Sequence, residues 1–145
     1  MTSASEPTRI DFHSNVSDPI HYACRLIRKA RAANCRLVVY HPEAALLQQL
    51  SHALWTLDDS AFLPHVMADD PCAPQTPVIF CQRELQLSPH FELLLNLSSS
   101  APPQFGLFGR MIEIVPSTAQ ATALGRERYR GYQQQGFALF HHVAN

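Results

Sequence analysis

Glycine is scarce in this chain and comes late. Only five occur in 145 residues (Gly106, Gly109, Gly125, Gly131 and Gly136), and none lies in the first hundred. A phosphate-cradling loop after an early strand needs glycine for its tight turn and for close approach of the backbone. The segment after the first candidate strand, His13-Ser14-Asn15-Val16, has no such position. That excludes a G-x-G-x-x-G fingerprint and a P-loop, so neither a dinucleotide nor a nucleoside triphosphate site is expected. The four cysteines (Cys24, Cys35, Cys72, Cys81) form no C-x-x-C pair. The eight histidines are scattered without an H-x-x-x-H or mixed Cys/His cluster, and His141 and His142 point to opposite sides if the chain there is extended. No metal or other cofactor is expected. No G-x-S-x-G occurs, and nothing recommends nucleophilic catalysis. Long apolar runs are missing too: the first fifteen residues are polar, and nothing approaches the roughly 18 apolar residues that span a bilayer. The expectation is a cytoplasmic protein that does not engage membranes, with reduced thiols.

Charge is also limited. Asp, Glu, Lys and Arg make up 16% of residues, eleven basic against twelve acidic, for a net charge of −1. A global electrostatic grip on nucleic acid is therefore not expected. Local clusters remain, with Arg25, Arg28, Lys29, Arg31 and Arg36 early, acidic residues in the middle, and arginines again near the end. The first four basic residues fall away from the apolar stripe of their helix and are read as a solvated face. The alternative is contact with single-stranded nucleic acid, although no interleaved aromatics offer bases a stacking platform.

A hydrophobic content of 46% supports one domain with a real core. Residues 1–8 read as a flexible tail and 9–145 as a single α/β domain. Residues 9–13 alternate like a short strand. Ser17 or Asp18 can cap a helix with Pro19 in its first turn, where a missing N–H is harmless. Ile20, Ala23, Cys24, Ile27 and Ala30 give that helix its apolar stripe. Residues 37–40, 78–81, 93–97 and 111–115 are apolar runs of the kind shown by strands buried on both faces. Pro42 opens a second helix, residues 56–76 read as irregular, and a last helix is expected from about 118 to 135. Gly136 would supply its left-handed C-terminal residue, with Phe137 folding back near Tyr132. Apolar runs alternating with helices predict a three-layer sandwich around a largely parallel sheet, Rossmann-like in topology but without a nucleotide site.

The most informative segment lies in that last helix, where Arg126-Glu127-Arg128-Tyr129-Arg130 is followed by Tyr132. Arg126, Tyr129 and Arg130 are spaced i, i+3, i+4 and share one helical face. An aromatic wall beside guanidinium groups suits a ligand that is anionic at one point and apolar at the next. The plainer reading has Tyr129 and Tyr132 packed inward and the arginines in surface pairs with Glu127 and Glu113. Likewise Trp55, Phe62 and Leu63, close to Pro64, either plug the end of the core or form an exposed aromatic patch for another protein.

Taken in order, Leu54-Trp55, then Ser60-x-Phe62-x-Pro64-His65, then Val115-Pro116, then R-E-R-Y-x-x-Y-x-x-x-G-F over residues 126–137 resemble the chi subunit of bacterial DNA polymerase III, and the likeness covers nearly the whole domain. The resemblance implies a non-catalytic accessory subunit of the clamp-loader assembly. It also implies binding to the acidic, phenylalanine-terminated tail of single-stranded DNA-binding protein. On the matching positions Arg126 would hold the terminal carboxylate, with Tyr129 and Val115 lining the ring pocket, and Thr122 and Arg130 nearby. The positions that carry Thr122 and Gln133 can be basic in the family, so this patch is less positive. A second family surface, for the psi subunit or a helicase, would map to Phe62, Leu63 and Trp55. The expected protein is monomeric when isolated and binds DNA directly weakly or not at all.

Overall fold

The computed structural model describes residues 8–56 and 64–144. Seven strands form one sheet: β1 (Arg9–Val16), β2 (Leu37–Tyr40), β3 (His65–Met67), β4 (Val78–Cys81), β5 (Leu93–Asn96), β6 (Arg110–Pro116) and β7 (Ala138–Val143). Their order is β3-β4-β2-β5-β6-β1-β7, and every pairing is parallel. The helices are α1 (Pro19–Ala32), α2 (Ala44–Thr56) and α3 (Ala119–Gln134), with short 3-10 turns at Ala73–Gln75, Leu85–Leu87 and Phe105–Leu107.

The continuous apolar strands have the two-sided burial that parallel sheets impose. In β2 Leu37 and Val39 face one core while Val38 and Tyr40 face the other. The first core takes Ala23, Cys24 and Ile27 of α1 and Leu47, Leu50 and Leu54 of α2. The second takes Tyr132 of α3 with Phe108, Leu85 and Ala73 from the turns. The result is a three-layer α/β sandwich with α1 and α2 on one face and α3 on the other. Cys24 and Cys81 are buried and all four thiols are free. Burial pushes the Cys24 thiol up to about 11, against the pull of Arg28. Both cysteines serve as small apolar side chains.

Helix boundaries follow local chemistry. Asp18 accepts a hydrogen bond from the His21 amide at 3.1 Å, with Pro19 in the first turn. Thr118 caps α3 through the Ala121 amide at 3.2 Å. Gly136 ends α3 at φ +88°, and the Phe137 amide returns to the Tyr132 carbonyl at 3.2 Å. The second helix starts at Ala44, two residues beyond Pro42, after the Glu43 amide has bonded to His41 Nδ1 at 2.9 Å.

Several elements depart from the sequence reading. β1 continues through residues 14–16, read as a turn, because pairing with β6 on one side and β7 on the other satisfies its backbone. A register shift between His13 and Val16 accompanies Asn15 at φ +59°. Thr8, assigned to the tail, is buried, and its hydroxyl donates to the Phe108 carbonyl at 2.6 Å. β3 lies within the segment read as irregular, and β7 was not anticipated. Both are edge strands, each carrying histidine, and lack the doubly buried apolar run that marked the others.

Candidate functional site

β6 leads into α3 on one face of the sheet, while its neighbour β1 leads into α1 on the other. Such a divergence of adjacent parallel strands opens a crevice near their carboxyl ends, where open α/β sheets bind ligands. Phe12 of β1 and Val115 of β6 lie in the core beneath α3. Helix α3 sits close to β6 because residue 125 is glycine. A Cβ there would stand 2.9 Å from Val115 Cγ1 and 3.1 Å from Cγ2.

Between α3 and the sheet, reaching to edge strand β7, runs a groove of about 350 Å³. Arg126, Tyr129, Val115, Thr122 and Arg130, the five residues singled out from the sequence, all line it. Phe12, Ser14, Gly125 and His141 complete it. Tyr129 is half-buried and meets Phe12 edge-on, ring centroids 5.1 Å apart at 62°. Val115 lies beside them as an aliphatic floor. Arg126 and Arg130 are exposed. Neither takes part in an ion pair among the described residues. Thr122 turns its hydroxyl back to the Thr118 carbonyl at 2.8 Å, so it contributes neither charge nor a free donor. On the opposite wall Ser14 Oγ and His141 Nε2 are 2.6 Å apart. Among the described residues no carboxylate lines the groove. The arrangement suits a ligand with an apolar ring and one or more carboxylates.

The third arginine of the run does different work. Arg128 points to the buried Glu113 of β6, with Nη2 3.2 Å from Oε1 and side-chain exposures of 8% and 0%. Its Nη1 also donates to the Ser99 carbonyl at 2.6 Å. Glu113 further accepts from the Tyr132 hydroxyl at 2.6 Å and from Asn96 Nδ2 at 2.9 Å. Burial pushes the Glu113 carboxyl above its ordinary range, opposed by the Arg128 guanidinium and the Tyr132 and Asn96 donors. Burial and the neighbouring carboxylate raise the Tyr132 phenol. The plainer reading of this helix was therefore half right. Tyr132 does pack inward, but the Arg128–Glu113 pair lies in the core and not at the surface.

The other surfaces separate. Trp55 is 58% exposed and lines a second groove of about 420 Å³ with His65, Met67 and Phe80. The exposed-patch reading therefore describes Trp55, while Phe62 and Leu63 lie outside the described residues. Arg25 and Lys29 on α1 are exposed, on the layer opposite to α3. The early basic face and the α3 arginines thus lie on opposite layers of the sandwich. Among the described residues no helix is long and apolar enough to cross a membrane.

Phe12, Ser14, Gly125 and His141 escaped the sequence reading. Three come from strands adjacent only in space, and Gly125 offered one signal, a glycine inside an otherwise helical pattern.

Comparison with known proteins bears on the same region. The family model described as DNA polymerase III chi subunit, HolC, matches residues 8–140. DNA polymerase III subunit chi of Pseudomonas aeruginosa is 30% identical over 139 residues, covering 93% of this chain and 96% of that protein. The subunit chi of Haemophilus influenzae is 26% identical over 120 residues, covering 81% of each. That of Escherichia coli is 24% identical over 116 residues, covering 80% of this chain and 79% of that protein.

Proposed function

The chain belongs to the DNA polymerase III chi subunit family, and from that premise we propose that it is a non-catalytic accessory subunit whose α3 groove receives the acidic, phenylalanine-terminated tail of single-stranded DNA-binding protein. Through that contact it would tether the replicase to coated template. The observation that supports this reading is the convergence of Val115 from β6 with Thr122, Arg126, Tyr129 and Arg130 from α3 on one groove that no carboxylate lines among the described residues. The terminal phenyl ring would sit on Val115 between the Tyr129 and Phe12 rings, where aromatic contacts add to burial. Arg126 would take the terminal carboxylate, because a planar guanidinium can hold both oxygens. Arg130, one turn nearer the helix C-terminus than Arg126, would face acidic residues preceding the phenylalanine. With Thr122 uncharged, the rim draws acidic residues through Arg126 and Arg130 alone, which sets association rate and salt dependence more than final affinity.

Calorimetry with an N-acetylated acidic peptide ending in phenylalanine tests the reading. Binding is expected, weakening as salt rises. Arg126→Ala is expected to lower affinity about 10-fold or more, since it leaves a carboxylate without its charged partner. Amidating the peptide's C-terminus should cause a similar loss. A peptide that fails to bind at low salt refutes the groove assignment. Equal binding by wild type and Arg126→Ala refutes the role of that residue. The exposed Trp55 surface, with Phe62 and Leu63 adjoining it in sequence, is the proposed contact for a psi subunit or a helicase.

A further inference from the structure

His141 stands on the sheet wall of the groove, across from Arg126 and Arg130 on the helix wall. Its ring is held by Ser14, with Nε2 2.6 Å from Oγ. A hydroxyl can donate to a neutral imidazole nitrogen or accept from a protonated one, simply by turning its hydrogen. Ser14 therefore fixes the orientation of the ring without fixing its charge. The polar groups around the ring can be named element by element. From α3 come Arg126, Tyr129 and Arg130, and from β1 comes Ser14. Within β7, His142 points to the other face of the sheet, its ring 4.8 Å from His13. Among the described residues no carboxylate lines the groove. A ligand carboxylate entering between the walls would meet the imidazole on one side and the two guanidinium groups on the other.

We propose that His141 is a further ligand-binding residue of the groove, a proton-dependent cation on the sheet wall that takes a carboxylate of the bound acidic peptide. This rests on the tail-binding reading, and it adds a regulation that the arginines cannot supply. Guanidinium stays charged at all accessible pH, whereas imidazole changes charge between about pH 5 and 8. Peptide binding is then accompanied by proton uptake, and affinity rises as pH falls through that window.

The test uses the N-acetylated peptide, whose carboxylates stay ionised across the measured range. Titrations run at pH 8 and pH 6, in two buffers of different ionisation enthalpy. The wild-type protein is expected to bind about 2- to 4-fold more tightly at pH 6 and to take up a fraction of a proton, the size set by one exposed charge pair. H141Q keeps a side chain able to bond Ser14 but cannot be charged, and it should flatten both the pH dependence and the proton uptake. H142Q, on the opposite face, should keep the wild-type profile. If H141Q retains the wild-type pH profile, or if the wild type binds through Arg126 with no pH dependence, His141 has no such role while tail binding stands. Absence of binding at both pH values overturns the tail reading and this inference with it.

Discussion

Arg128→Met separates the anchoring arginine from the two that face the groove. Methionine replaces most of the apolar stem, so the main loss is charge and not volume. The substitution removes the Arg128 cation from Glu113, which is 0% exposed, and leaves it the Tyr132 and Asn96 donors. Deleting one partner of a buried ion pair typically costs about 3–5 kcal/mol. A second limit comes from protonation. A carboxyl that ordinarily titrates near 4.3 can be held neutral in the folded protein at pH 7 for about 3.7 kcal/mol, and at pH 5 for about 1 kcal/mol. The lower of the two limits applies, so a loss of about 3–4 kcal/mol is expected at pH 7, shrinking to about 1 kcal/mol at pH 5. The sign agrees with the native site, where burial already raises Glu113. A raised folded value gives stability that is present below the unfolded value and lost as pH rises, and the variant steepens that slope between about pH 4.3 and 7. Urea unfolding at the two pH values measures it. A loss below about 1 kcal/mol at pH 7, or one of equal size at pH 5, would refute the buried-pair argument. Peptide affinity of the folded variant should stay within about twofold of wild type, since Arg128 does not line the groove.

Gly125→Ala should lower stability by about 1–2 kcal/mol despite the better helix propensity of alanine, because the new methyl meets the buried Val115 at 2.9 Å. Thermal unfolding checks this, and a stabilised variant would show that α3 can lift off β6 freely. Arg130→Ala should leave stability within about 0.5 kcal/mol and chiefly reduce the salt dependence of peptide binding, read as affinity against salt concentration. An unchanged salt slope would remove Arg130 from the acidic segment's path. Burial, with His142 beside it, pulls His13 down to about 4. A depressed value gives stability that is full above about pH 6.5 and lost as pH falls towards 4. With its partial exposure the expected loss is about 1 kcal/mol, and His13→Gln should abolish it in an acid titration of stability.

The layers were legible because doubly buried parallel strands must be apolar throughout. Residues 37–40 and 78–81 satisfy that demand over the observed strands. Edge strands escape this logic. β7 carries two histidines and exposes Phe140 and Val143, so it lacks the doubly buried apolar run that marks the central strands. The helical wall of the groove was legible for a similar reason, since i, i+3, i+4 spacing is a property of one helix and needs no partner. Its sheet wall was not, because Phe12 and His141 are brought together by parallel pairing of β1 with β7, from opposite ends of the chain. Glu113 did carry a signal. A single carboxylate within Met111–Val115, buried on both sides, requires a buried donor, and the structure supplies Arg128 in that role.

The same helical arithmetic explains why one run of three arginines performs two tasks. Arg126 and Arg130 are four residues apart and stand on one face, whereas Arg128, two residues from each, projects about 200° away. That direction leads to Glu113 and the Ser99 carbonyl. Tyr132, four residues on, joins it at the same carboxylate. Gly125 brings the preceding turn into contact with Val115. Each turn of α3 therefore carries an anchoring residue behind a groove-facing one, and the groove wall is set by folding before any ligand arrives. Such preorganisation leaves most of the ordering cost to the incoming peptide. It follows that substitutions on the groove-facing side should change affinity at constant stability, and those on the anchoring side should do the reverse.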